Sequence, residues 1–277
     1  MTAILFGLFS AVTYGAADFT GGIASRRASS YAVVIWADIL AMPIIAIAAW
    51  LVDDTFPSTH GIWVSLASGL FGGTGILLLY RSFAEGKMSV AAPVSALMAG
   101  ILPVLVGMFT QGFPSLIVFS GMVFALVAIW FIAREDGTTL QYNWENVRLP
   151  LIAGFLFGMF FVLMHDVGRE SILWPIFLLR ISAVAILVLI AGVTRQPMNP
   201  PFRQWYFLLL ISVFDVAGNL FFILANRAGR LDVTAVLASL YPGATVFLAW
   251  IFLKEHISRS QWFGVLLAFV AIALIAL

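Results

Sequence analysis

Asp215 stands in Val213-Phe214-Asp215-Val216-Ala217-Gly218-Asn219, a carboxylate in apolar company with an amide four residues on. Residues four apart share a helix face. Asp215 and Asn219 together can therefore bind an amine, or Asp215 can carry a proton. The structural alternative is a carboxylate paired to a basic residue or to backbone. Asp18 follows Tyr14 by one helical turn and faces either a cavity or the interface near Arg26-Arg27. Asp38 and Arg180 lie at nearly equal depth in two other apolar segments. They form either a static ion pair or one that exchanges during a functional cycle. A charge at the centre of a bilayer costs about 2.5–3.5 kcal/mol on insertion scales, so each of these groups needs a partner or a task.

Other residue types admit milder chemistry. His165-Asp166 closes an apolar segment and reads as a helix-end group or a pH sensor. Tyr80, Trp36 and Tyr241 are candidate aromatic walls for an organic ligand, although the nine Trp and six Tyr must also supply interfacial belts. Pro242 follows Tyr241, and Pro93 and Pro103 share another segment. Proline removes a backbone donor, so each marks either a hinge or a static kink. Arg81 can snorkel from the end of its segment.

Several chemistries are excluded. No G-x-x-x-x-G-K-[S/T] encodes a nucleotide-driven motor, and no H-E-x-x-H supplies a zinc site. The histidines at 60, 165 and 256 are far apart, and there are no cysteines. No metal or cofactor is expected. A net charge of +1 argues against a grip on nucleic acid.

The elements that must position these residues are membrane spans. The 277 residues are 62% hydrophobic and 10% charged, with a mean hydropathy of +1.07. Soluble domains carry about 25% charged residues. Stretches of about 20 apolar residues cross a bilayer as helices. Ten are read, at roughly 2–22, 30–52, 61–84, 88–112, 114–134, 147–167, 171–194, 203–226, 231–253 and 259–277. The first is taken as a permanent span, since it lacks the basic flank of a signal peptide. Lipid offers no hydrogen-bond partner, so every span must satisfy its own backbone. Small residues spaced by four, such as Ser65/Gly69/Gly73 and Gly154/Gly158, mark close helix packing.

The spans fall into two copies. Sliding the chain by 143 positions matches 17 of the 60 residues of 75–134 to 218–277, including Gly75/Gly218, Gly86/Gly229, Gly100/Gly243 and Gly121/Gly264. Chance gives about five at this composition. A second pairing sets Gly7-Leu8-Phe9 beside Gly154-Phe155-Leu156. The division is a first repeat of five helices at 1–134, a linker at 135–146 and a second repeat at 147–277. An odd number of spans per half inverts the second half, as in many secondary transporters. The fold class is therefore an all-α membrane protein of ten transmembrane helices in two inverted five-helix repeats.

With these features the chain resembles the ten-helix EamA-type branch of the drug/metabolite transporter superfamily. Carrying the resemblance are the duplicated half, the turns Glu85-Gly86-Lys87-Met88-Ser89-Val90-Ala91-Ala92-Pro93 and Ala228-Gly229-Arg230-Leu231-Asp232-Val233-Thr234-Ala235, and Phe252-Leu253-Lys254-Glu255 before the last helix. Two departures stand out: Gln111-Gly112 replaces Lys254-Glu255 in the first half, and Asp38 stands near where the family often has a basic residue. The resemblance implies a secondary transporter, an exporter of a small organic metabolite such as an amino acid or amine-bearing compound. It acts by alternating access in the inner membrane. A cavity lined by spans 1, 3, 4, 6, 8 and 9 is implied, giving Tyr14, Asp18, Tyr80, Ser95, Asp215, Asn219 and Tyr241 as candidate liners. Asp38, Arg180 and Asp215 are the candidate charge pair or coupling groups, with Pro93, Pro103 and Pro242 as candidate hinges. The partners are lipid, the substrate and a proton if transport is coupled, and the protein is a monomer or homodimer. The competing readings are a membrane enzyme using Asp215, His165 and Asp38, and a scaffold or sensor without a cavity.

Sidedness divides the evidence. Nine Lys and Arg lie in odd-numbered loops and three in even-numbered ones, which places the odd loops in the cytoplasm. The resemblance instead implies that both termini are cytoplasmic.

Overall fold

The computed structural model describes every residue except 86–87, 133–143, 200, 255–257 and 277. Eleven α-helices are described: α1 (Thr2–Ser25), α2 (Ser30–Leu51), α3 (Thr59–Glu85), α4 (Met88–Gln111), α5 (Leu116–Ile132), α6 (Trp144–Val167), α7 (Leu173–Val193), α8 (Trp205–Ala228), α9 (Leu231–Ala238), α10 (Tyr241–Leu253) and α11 (Arg259–Ala276). A 3₁₀ turn at Phe202–Gln204 leads into α8. Among the described residues, nine stretches are long and apolar enough to span a membrane, one of them being α9 and α10 taken together, and α5 is a shorter apolar tenth. Most of the expected linker lies outside the described residues, and its last part, from Trp144, already belongs to α6.

The molecule turns apolar side chains outward. Phe109 is 89% exposed, Val193 76% and Phe269 66%, each in a helix and each without cover. Only lipid makes such a surface stable. Exposed tryptophans sit near both ends, with Trp50 and Trp63 at one and Trp205 and Trp262 at the other, as belts at two interfaces require.

Packing repeats with the duplication. α1 lies on α8 as α6 lies on α3, α6 lies on α4 as α1 lies on α9 and α10, and α5 pairs with α11 across the two halves. Missing side chains set these approaches. A Cβ on Gly218 would lie 2.5 Å from the Tyr14 ring, and one on Gly75 would lie 2.9 Å from the Phe157 ring. These contacts are the same contact 143 positions apart. Ser10, whose hydroxyl donates to the Gly218 carbonyl at 2.9 Å, corresponds likewise to Ala153, whose carbonyl faces Gly75. The true register of α1 and α6 is therefore 143, which corrects the pairing of Gly7 with Gly154. That pairing was wrong by four residues, one helical turn, and so kept the correct helix face.

Span nine departs from a single helix. It breaks between Ala238 and Tyr241, with Pro242 in the first turn of α10. Span four, which holds Pro93 and Pro103, runs through as one helix. The two matched spans thus differ in continuity: span nine is interrupted and span four is not. In the 143 register Pro242-Gly243 stands opposite Ala99-Gly100, so the mid-span proline is unique to one half. Pro242 cannot donate to the Ala238 carbonyl. The chain closes tighter turns instead, with Leu240 N–H to Leu237 and Gly243 N–H to Leu240.

Candidate functional site

The charged residues converge where the halves meet. Arg180 on α7 donates through Nη1 to Asp38 Oδ1 on α2 at 2.5 Å and through Nη2 to Asp215 Oδ2 on α8. α7 is held for this task at its N-terminus. Asp54, from the loop after α2, accepts the N–H groups of Leu173 at 2.7 Å and Trp174 at 3.3 Å and the Ser171 hydroxyl at 2.8 Å. A carboxylate there satisfies orphan donors and suits the helix dipole. Asn219 Nδ2 donates to both the carboxylate and the carbonyl of Asp215, at 3.1 and 2.7 Å, while its amide oxygen is buried without a protein partner.

Beside this triad is a hollow of about 70 Å³. That is room for several waters, since one needs about 10–15 Å³ on this measure. Tyr14, Asp18, Asp38, Arg180, Asp215, Asn219 and Tyr241 supply the polar part of its lining. Gly72, Gly73, Ile76, Phe157, Phe160 and Phe161 line much of the rest. Phe161 is the hub of the apolar wall, with ring centroids 4.5 Å from Phe222, 5.6 Å from Phe160 and 6.2 Å from Tyr14. The arrangement can grip a cationic group and cover an apolar body.

Asp18 differs from the other two acids. It is 6% exposed, and no described residue hydrogen-bonds its carboxylate. Of the neighbouring hydroxyls, that of Tyr14 is buried with no hydrogen-bond partner among the described residues, and the other two are engaged elsewhere. Tyr80 donates to the Ala17 carbonyl at 3.1 Å, and Tyr241 is held by Ser95 at 2.6 Å and by the Ala92 carbonyl at 3.2 Å.

Of the expected liners, Tyr14, Asp18, Asp215, Asn219 and Tyr241 come together on the hollow. Tyr80 lies on a neighbouring void of about 30 Å³ that also touches Asp38, Arg180 and Asp215. Ser95 is fully buried and reaches the site only through the Tyr241 hydroxyl. Trp36 stands apart, donating to the Met198 carbonyl at 2.9 Å and strapping the segment after α7 onto α2. Sequence reasoning missed the Phe157–Phe161 wall and the second bond of Arg180 to Asp215. The first follows once the structure fixes the register of α1 against α6 at 143, which sets Phe157 and Phe161 opposite Tyr14 and Asp18.

The end of the bundle that carries the even-numbered loops is tied across the halves. His165 contacts Gln111 at 3.0 Å and Asn226 at 3.1 Å, and Thr234 donates to the same Asn226 oxygen at 2.5 Å. Arg230 donates to the Gln111 and Gly112 carbonyls and to Asp232 at 2.8 Å, and its hydrogen bonds to Asp232 raise its pKa further. Outside the spans, hydrogen bonds from Ser58 hold the Glu170 carboxyl below the usual range. His60 meets Asp166 at 2.9 Å, both exposed. No group of three or more His, Cys, Asp or Glu suited to a metal ion occurs among the described residues.

The architecture has known relatives. A model described as the EamA-like transporter family matches residues 1–134 and 147–277. A solved chain described only as "Crystal structure of protein" is similar to this one with a TM-score of 0.75 at 14% identity, covering 98% of this chain and 95% of that chain. At that identity the likeness shows the fold alone. No curated protein matches this chain significantly.

Proposed function

The chain belongs to the EamA-like transporter family, and from that premise we propose that it is a secondary transporter of small amphipathic amines. It works in the inner membrane by alternating access, in the direction of export. The two repeats, 1–134 and 147–277, rock against each other around the hollow, with α9 and α10 flexing at Pro242. The observation that carries the amine assignment is the mixed lining of the hollow: three carboxylates and one guanidinium together with the aromatic cluster Phe157, Phe160 and Phe161. A cation with an aromatic or aliphatic body satisfies both parts, whereas an anion meets the surplus of carboxylates. The energy is the substrate's own gradient or a proton carried on a carboxylate of the hollow.

The enzyme alternative finds no support in the geometry. Asp38 and Asp215 are bound to one arginine, and His165 sits in the even-loop tie. The scaffold alternative calls for a filled interface, and the interface contains a polar hollow. The deciding measurement is counterflow in proteoliposomes. Vesicles preloaded with an aromatic amine should accumulate the labelled amine, and vesicles preloaded with the matching carboxylic acid should accumulate no labelled acid. Amine counterflow no faster than in protein-free vesicles refutes the assignment.

A further inference from the structure

The charge count of the hollow is uneven. Asp38 and Asp215 share the guanidinium of Arg180, and among the described residues none hydrogen-bonds or ion-pairs with Asp18. Every neighbouring helix leaves it so. From α1 itself comes Tyr14, from α2 Asp38, from α3 Tyr80, from α7 Arg180, from α8 Asp215 and from α10 Tyr241. Arg180, the one cation of the cluster, gives both its terminal nitrogens to the other two acids. Tyr80 and Tyr241 give their protons to backbone carbonyls or to Ser95, and the Tyr14 hydroxyl is buried with no hydrogen-bond partner among the described residues, Asp18 included. α6 contributes only Phe157, Phe160 and Phe161 at this level, and His165 lies one turn beyond, in the even-loop tie. A buried carboxylate without partners cannot stay charged and empty-handed without a cost of several kcal/mol.

We propose that Asp18 is the exchange carboxylate of the transporter, holding either a proton or the cationic head of the substrate, and never both. This rests on the amine reading above and adds to it the stoichiometry of coupling. When the cation arrives, the O–H bond of Asp18 breaks, the proton leaves to water, and the carboxylate pairs with the cation. When the cation leaves, a proton returns to the same oxygen. No other bond changes. Asp215 is the wrong carrier, because a proton there would break its ion pair with Arg180. Asn219 also lines the hollow, and its amide oxygen is a buried acceptor without a hydrogen-bond partner among the described residues. Because the proton and the cation compete for one pair of oxygens, binding tightens as pH rises, and a proton gradient pulls the cation the opposite way.

The test uses the purified full-length protein and benzyltrimethylammonium, a cation with no proton of its own to lose. Infrared spectra should show the carbonyl stretch of a neutral carboxylic acid, abolished by the cation. Calorimetry in buffers of different ionisation enthalpy should then give about one proton released per cation bound. Asp18→Asn should lack the band, release no proton and bind the cation about ten- to a hundredfold more weakly, the loss expected for a charge-assisted contact. Asp18→Glu should restore both the band and the release, which a merely structural role would not do. If the band survives in Asp18→Asn, or if the wild-type protein binds the cation without releasing a proton, the exchange role is overturned while amine transport stands. If the wild-type protein binds no cation at any pH, the amine reading falls, and the exchange role falls with it.

Discussion

Tyr14 of α1 packs over Gly218 of α8, and Phe157 of α6 packs over Gly75 of α3. The two contacts are related by the internal repeat, yet one ring carries a hydroxyl and the other does not. The same contrast runs around the hollow. Asp18 stands opposite Phe161, Asp215 opposite Gly72, and Asn219 opposite Ile76, all of them lining residues. Arg180 corresponds to Asp38, because α2 and α7 match 142 positions apart, as Ala49 and Ala191 at their ends do, so this pair differs in the sign of its charge. Positions that set helix approach are shared by both halves, while positions that face the hollow differ in polarity or in charge. The difference has a physical reason. Acids at both members of each pair would double the buried charge around one guanidinium, and unpaired buried charge is expensive. A lining polar in one part and apolar in another also gives a ligand a single orientation, which a symmetric hollow would not.

The sharpest way to break the contrast is to remove its centre. Arg180→Met leaves Asp38 and Asp215 buried without their cation and should destabilise the protein by about 3–5 kcal/mol, read as a fall in the thermal midpoint in detergent. Adding Asp38→Asn and Asp215→Asn to that variant should recover most of the loss without recovering transport. A stable Arg180→Met single variant would mean that the triad is not the electrostatic core of the molecule.

Next comes the packing that the halves share. A Cβ on Gly15 would lie 2.5 Å from the Tyr241 carbonyl oxygen and 2.6 Å from the Ala244 Cβ, against a backbone that cannot turn away. On the matched Gly158 it would lie 2.9 Å from the Leu102 Cβ and 3.5 Å from the nearest carbonyl oxygen. Gly15→Ala should therefore cost about 2–3 kcal/mol and Gly158→Ala about 1 kcal/mol, within the range for overpacked contacts. Equal losses would show that the break in span nine does not tighten the α1 contact.

The break itself separates the halves in rate. Pro242→Ala restores a donor at the point where α9 ends, so the two pieces can join into one helix as in α4. Exchange of labelled amine should slow by about tenfold with binding affinity unchanged, as expected when a conformational step is limiting. Pro103→Ala, in the unbroken partner, should leave exchange within about twofold of the wild-type rate. A Pro242→Ala protein that exchanges at the wild-type rate assigns the break to packing alone.

What could be read before the structure follows from range. Hydropathy is a local sum, so the spans were legible, and α2 and α7 lie within a few residues of their expected bounds. The register of α1 against α6 was not, because matching on small residues is satisfied equally well one turn away. Proline identity was legible at 93, 103 and 242, but its consequence was not. A helix breaks only where neighbouring carbonyls find other donors, and that depends on Leu240 and Gly243 closing their turns. The pairing of Asp38 with Arg180 was one of two readings of matched depth. That Asp215 joins them, and that Asp18 is left over, depends on helix rotation, which a sequence with low amphipathic contrast does not encode.

The smallest test asks whether the scaffold is as symmetric as the contacts say. α2 and α7 end alike. Asp53 and Arg195 are left-handed, with φ of 51° and 53°. The following N–H in each case reaches back to close the helix, Asp54 to Ala49 at 3.0 Å and Gln196 to Ala191 at 2.8 Å. That closure most often carries glycine at the left-handed position, because a Cβ there is strained. Both side chains are exposed, so little packing is lost by removing them. Asp53→Gly and Arg195→Gly should each stabilise the protein by about 0.5–1 kcal/mol, the relief of left-handed strain less the added freedom of the unfolded chain. The two gains should agree with each other and add in the double variant, since the sites are distant. Unequal gains would mean that the asymmetry of the hollow extends into the frame that holds it.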